Sequence, residues 1–239
     1  MNIKLLEVFG LQVHCFQDIK KAVSHIMDMD IRDKGVILTA LNPEKVLKGQ
    51  ESKEIGSILK KSDVLYADGM GIVKAVKLKY GESIKRVPGC ELWEALVAEA
   101  GKTGMPVFFV GASKEVNQAT AEKAARLYGV NIVGHEDGFF EHEDALIEQI
   151  KASKAEFVSV ALGSPRQEQF MFKCKDNGVK AVMMGVGGTY DVFTGHVKRA
   201  PRIFCKFGLE WLYRLLAQPS RIGRQIKLLR FVAMLFRQK

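Results

Sequence analysis

Cysteine is scarce in this 239-residue chain, and its four copies stand apart. Cys15, Cys90, Cys174 and Cys205 form no CxxC pair. That spacing fits a reducing compartment better than a disulfide framework or a zinc site. Long apolar runs are also missing. Glu7 and His14 interrupt the N-terminal stretch, and no small-residue cleavage site follows it. Residues 228–236 are apolar but contain Arg230. They fall far short of the ~20 residues that cross a bilayer. The expected location is therefore the cytosol. GxGxxG and P-loop strings are absent, so dinucleotide and ATP motifs do not apply. No internal repeat or low-complexity tract appears.

Acids are nearly absent from the C-terminal segment. Residues 198–239 hold eleven Lys or Arg and a single acid, Glu210. The whole chain carries +9, so its positive charge is almost wholly a C-terminal property. A concentrated basic segment selects an anionic partner: phospholipid, pyrophosphate or nucleic acid. Two helices are expected there, over residues 203–217 and 220–237, broken near Pro219. On the second, Ile222, Ile226, Leu229, Ala233 and Phe236 share one stripe. Leu228, Phe231 and Leu235 form a second apolar strip among the cations. Such a helix can dock one strip on protein and press the other into a lipid interface. A solvated basic face is the alternative. Nucleic acid is disfavoured, because no nucleic-acid motif accompanies the charge.

The rest of the chain is regular. A small hairpin is expected around Gly10, then a helix over 18–29. Short apolar runs follow at 36–41, 64–66, 107–110, 130–133, 157–162 and 181–185, with helical periods between most of them, such as 114–128 and 144–152. Continuously apolar strands alternating with helices predict an α/β fold: a Rossmann-like parallel-sheet core over residues 1–195, with a basic helical appendage over 196–239. Such sheets bind ligands at the carboxyl ends of their strands.

The strings at those ends are thus the informative ones. Asp68 follows an apolar run and precedes Gly69-Met70-Gly71. An acid there can serve as a general base or hold a substrate hydroxyl; capping the next helix is the competing role. Arg86 offers forked donors suited to phosphate. In Gly163-Ser164-Pro165-Arg166-Gln167-Glu168, Pro165 fits a first helical turn with Ser164 as cap. Backbone amides there could meet a diphosphate. Gly185-Val186-Gly187-Gly188 ends the last core run and leads to Asp191, which could meet substrate or cap a helix. Two metal readings are weaker. Asp28-Met29-Asp30 matches a DxD pattern but ends a helix away from the Gly-rich strings. The repeated His-Glu-Asp strings at 135–137 and 142–144 read better as a charged loop and a helix start.

Taken in order, these strings resemble the WecG/TagA/CpsF glycosyltransferase family. The matching pieces are Asn42-Pro43-Glu44-Lys45, Ala67-Asp68-Gly69-Met70-Gly71, Arg86-Val87-Pro88-Gly89, Phe109-Val110-Gly111, Gly138-Phe139-Phe140, the Gly163–Glu168 string, Gly185–Gly188 through Gly195, Arg199-Ala200-Pro201, and Gly208-Leu209-Glu210-Trp211-Leu212-Tyr213-Arg214. The resemblance spans about residues 36–232 and implies an inverting, metal-independent transferase without a cofactor. It implies a UDP-sugar donor carrying an N-acetylmannosamine-type sugar, and an acceptor of N-acetylglucosamine on undecaprenyl diphosphate. It assigns general-base work to Asp68. It places Thr39, Asn42, Arg86, Gln167, Gly187 and Asp191 around the substrates. It gives Arg214, Arg221 and Arg224 to the leaving diphosphate. Family members often carry Thr close before the Asn of the first motif, and Thr39 stands one residue off that register. The resemblance also implies peripheral attachment to the inner face of the cell membrane through the appendage. A homo-oligomer stays open. The alternatives are transfer of another hexose or a uronic-acid sugar, and a non-catalytic nucleotide- or lipid-binding protein.

Overall fold

The computed structural model describes residues 3–198 and 230–236. The expected helix over 203–217, the arginines Arg214, Arg221 and Arg224, and the Arg199-Ala200-Pro201 string lie outside the described residues. The chain begins with a hairpin, β1 (Leu5–Val8) and β2 (Leu11–His14). Its two-residue turn has positive φ at both Phe9 (56°) and Gly10 (74°), the backbone that matches the twist of paired strands. Then come α1 (Ile19–Met27), β3 (Val36–Leu41), α2 (Pro43–Glu51), α3 (Lys53–Lys61), β4 (Val64–Ala67), α4 (Met70–Tyr80) and α5 (Gly89–Thr103). The second half runs β5 (Pro106–Gly111), α6 (Lys114–Tyr128), β6 (Asn131–Glu136), α7 (Glu143–Ala152), β7 (Phe157–Ala161), α8 (Arg166–Asp176), β8 (Val182–Gly185) and α9 (Thr189–Thr194).

The strands form one sheet in the order β1-β2-β4-β3-β8-β7-β5-β6. Every pair is parallel except β1 with β2. Strands β4 and β7 are buried along their whole length, because helices cover both faces. On one face α1, α5, α6 and α9 pack on Leu38, Tyr66, Phe109 and Met184. On the other, α2, α3 and α4 pack around Leu41 and Leu65, and α7 and α8 around Ile37, Val158 and Met183. The expected fold class is the observed one. The strand that differs most in extent is β6, which runs to Glu136 rather than stopping at Val133. It is an edge strand with one neighbour, so polar residues sit in it without a burial cost and the apolar run understates its length.

Residues 230–236 form a helical segment that returns to the hairpin. Phe231 and Leu235 are buried with Leu6, Val8, Leu11 and Ile72, and the Phe231 ring lies 5.0 Å from that of Phe9. Arg230 pairs with Glu51 at 2.8 Å. Val232 and Phe236 face outward. The docked strip is therefore the Phe231/Leu235 one, and the Ala233/Phe236 end of the other stripe is exposed. Among the described residues, no helix is long and apolar enough to cross a membrane.

Candidate active site

Because the strands from β2 through β6 in the sheet are parallel, their carboxyl ends share one edge. Adjacent strands β3 and β8 send their next helices, α2 and α9, to opposite faces of the sheet. That is a topological switch point, where a crevice opens beyond the strand ends. The segments around Asn42, Asp68, Gly163 and Gly187 all follow strands on this edge, as the sequence motifs require.

Asp68 does not cap the helix that follows it. The cap of α4 is Gly69, with no side-chain hydrogen bond. Instead, the Gly89 amide at the start of α5 donates to Asp68 Oδ1 at 3.0 Å. This places the carboxylate at the positive end of a 15-residue helix. Arg86 Nε donates to the Asp68 carbonyl at 2.6 Å, and the Val87 amide to that of Ala67 at 2.8 Å. The Arg86–Gly89 stretch is thus stitched along the end of β4. It holds the half-buried carboxylate by one oxygen, and the other is turned to no partner among the described residues. An oriented carboxylate with one oxygen to spare is what deprotonation of a hydroxyl needs.

Asn42 caps α2: its side chain accepts from the Lys45 amide at 3.0 Å. Thr39 is buried, and its hydroxyl meets Ser62 at 2.9 Å on the face of the sheet that packs against α2 and α3. The structure does not bring it to the strand-end edge. Gln167 is buried with both amide ends engaged. Its Nε2 donates to Glu168 at 3.0 Å, and its Oε1 accepts from the Gly187 amide at 2.9 Å. Asp191 is half-buried in the first turn of α9, which it does not cap.

The expected Ser164 cap is corrected. Helix α8 begins at Arg166, Pro165 holds the cap position without a side-chain hydrogen bond, and the Ser164–Pro165 peptide is cis. Arg166 turns toward the loop after β6 instead. It donates to the Gly138 carbonyl at 2.9 Å and lies over the Phe140 ring. Neither metal string lies beside Asp68: one is at the opposite edge, and the first His-Glu-Asp string ends β6, five strands from β4. Asp28 closes α1 at the amino edge of the sheet, and Asp30 is bound by Arg32, whose hydrogen bonds hold its carboxyl below the ordinary range. His135 meets Asn117, and His142 precedes α7.

Three features at this edge escaped the sequence reading. Lys45 and Glu168 form a buried ion pair at 2.7 Å. Tyr66 lies under Gly89, where an added Cβ would sit 3.2 Å from its hydroxyl. That hydroxyl has no hydrogen-bond partner among the described residues. Burial, reinforced by the charge of Asp68, pushes its ionisation well above the ordinary tyrosine value, so it stays a neutral donor. The third feature is Phe231, which would lie 2.9 Å from a Cβ added at Gly71, three residues past Asp68. A signal existed for α8: Gln167 falls three and four positions before the buried Phe170 and Met171, hence on the core stripe.

The family model for the glycosyl transferase WecG/TagA/CpsF family matches residues 6–239, from the opening hairpin through the C-terminal helix. With Asp68 held at the switch-point edge and the strings around Asn42, Gly163 and Gly187 on the same edge, the chain belongs to the WecG/TagA/CpsF family of glycosyltransferases.

Proposed function

We propose that this glycosyltransferase moves an N-acetylmannosamine-type sugar from a UDP donor to N-acetylglucosamine on undecaprenyl diphosphate, with inversion and without a metal. The product would serve cell-surface polysaccharide or teichoic acid linkage synthesis. The observation that carries the reading is the Asp68 carboxylate, gripped through Oδ1 by Gly89, with no partner for its second oxygen among the described residues. Asp68 takes the proton of the acceptor hydroxyl. The freed oxygen pair attacks the anomeric carbon, and the bond from that carbon to the diphosphate oxygen breaks. UDP leaves with the electron pair. Attack from the face opposite the leaving group inverts the centre. Arg86, bonded through Nε to the Asp68 carbonyl, and the family's C-terminal arginines, here Arg214, Arg221 and Arg224, meet the developing diphosphate charge. Asn42, Gly187 and Asp191 line the substrates, and Gln167 acts on them through the Gly187 loop.

The acceptor's polyprenyl chain puts the reaction at a membrane surface. The basic segment supplies charge for an anionic leaflet, and the outward Val232 and Phe236 supply an apolar contact beside it. The protein then works as a peripheral protein of the inner membrane face. A panel of UDP-sugars with a lipid-diphosphate N-acetylglucosamine acceptor, with and without EDTA, tests the proposal. Transfer from UDP-N-acetylmannosamine that survives EDTA is expected. Transfer only from another donor, or only with a divalent cation, contradicts it.

A further inference from the structure

Lys45 and Glu168 carry charges into a place where charge is costly. Their side chains are 11% and 3% exposed, Nζ to Oε1 is 2.7 Å, and Glu168 Oε2 is buried with no partner among the described residues. Stability alone does not favour such a pair. Apolar residues of similar volume commonly serve as well, because desolvation offsets the attraction. The pair instead belongs to a chain of hydrogen bonds across three strand-end segments. The Lys45 amide donates to Asn42 after β3. Glu168 Oε1 accepts from both Lys45 Nζ and Gln167 Nε2. Gln167 Oε1 accepts from the Gly187 amide after β8.

The chemistry of the amide gives this chain a direction. A glutamine side chain can turn its oxygen or its nitrogen toward either neighbour. A carboxylate accepts only, so Glu168 selects Nε2 and sends Oε1 to the Gly187 amide. Gly185 clears the room: a Cβ there would lie 2.6 Å from Gln167 Nε2. Gly187 takes the left-handed backbone of the turn, φ 54°. Lys45 neutralises Glu168 and fixes it against α2.

We propose that Lys45 and Glu168 are positioning residues for the transfer reaction. Their ion pair orients Gln167, and through it sets the Gly187 loop in the β3/β8 crevice, where the loop receives the nucleoside diphosphate of the donor. The proposal rests on the UDP-donor reading above.

The test uses the full chain in three variants. Titration calorimetry with UDP is the first readout, and separate KM values for donor and lipid acceptor are the second. The double variant Lys45→Met with Glu168→Met removes both charges and leaves apolar bulk, so it is expected to fold with Tm close to the parent. UDP affinity should fall about tenfold or more, with the donor KM rising in step and the acceptor KM unchanged. Lys45→Arg keeps the charge and should retain most of the affinity. Glu168→Gln keeps the volume but offers either amide end to Gln167, and should weaken UDP binding by several-fold. A folded double variant that binds UDP like the parent overturns the proposal. If the double variant does not fold, parental UDP affinity in Glu168→Gln overturns it. A parent protein that binds another nucleoside diphosphate but no UDP refutes the donor reading; the positioning role then stands or falls on whether the variants lose that other ligand.

Discussion

The carboxylate of Asp68 and the backbone amide of Gly89 lie 3.0 Å apart, and this contact joins the end of β4 to the start of α5. Two residues 21 positions apart in sequence thereby define one site. Among the described residues the side chain is held by backbone rather than by another side chain, so its aim is set by the fold itself. Tyr66 rises from the strand just beneath and leaves its hydroxyl buried below Gly89.

Tyr66→Phe removes a buried donor that has no acceptor among the described residues. Leaving such a group unsatisfied costs about 1–3 kcal/mol, whereas the ring packing stays. The variant should be as stable as the parent or more so in chemical denaturation. A loss of more than about 1 kcal/mol would show that the hydroxyl is engaged in solution.

Phe231 is 1% exposed and Phe236 is 66% exposed, so two aromatic residues on one short helix should behave differently. Phe231→Ala opens a cavity against Phe9 and Gly71 and should cost about 3–5 kcal/mol. Phe236→Ala should leave the unfolding midpoint nearly unchanged while lowering co-sedimentation with anionic vesicles. Equal vesicle binding by the parent and Phe236→Ala would refute the membrane contact assigned to that face.

Acid should weaken the fold through His14. Burial, with the charge of His25 as a second cause, lowers its pKa from 6.5 to about 4, and the two rings are 5.8 Å apart. The folded state therefore keeps His14 neutral, while the unfolded chain takes up a proton near pH 6.5. Its effect on stability is nil above that pH, and stability is lost progressively as pH falls toward about 4. His14→Gln should flatten the loss over this window in denaturation curves at stepped pH. An unchanged pH dependence in the variant would place the acid sensitivity elsewhere.

The strand ends were legible because periodicity and glycine mark them. The runs at 36–41 and 114–128 coincide with β3 and α6, and Asp68 stands out as an acid between an apolar strand and a glycine. The partners of these residues were not legible. Whether an Asp caps the next helix or meets a later one depends on how the chain returns, and here Arg86–Gly89 comes back alongside β4. Ser164 read as a cap by residue type, yet the helix starts beyond Pro165. Lys45 and Glu168 are 123 positions apart, and nothing local in either string announces the other. The two apolar strips of the C-terminal helix were visible, but only packing against Phe9 shows which one docks.

The proposed transfer turns on Asp68 as the base. Asn at this position can still accept from the Gly89 amide, so Asp68→Asn should fold with parental stability and bind UDP normally. Single-turnover transfer to the lipid-diphosphate acceptor should then fall by about 10²–10⁴, the usual worth of a positioned base. Parental single-turnover rates in a folded Asp68→Asn protein would contradict the mechanism.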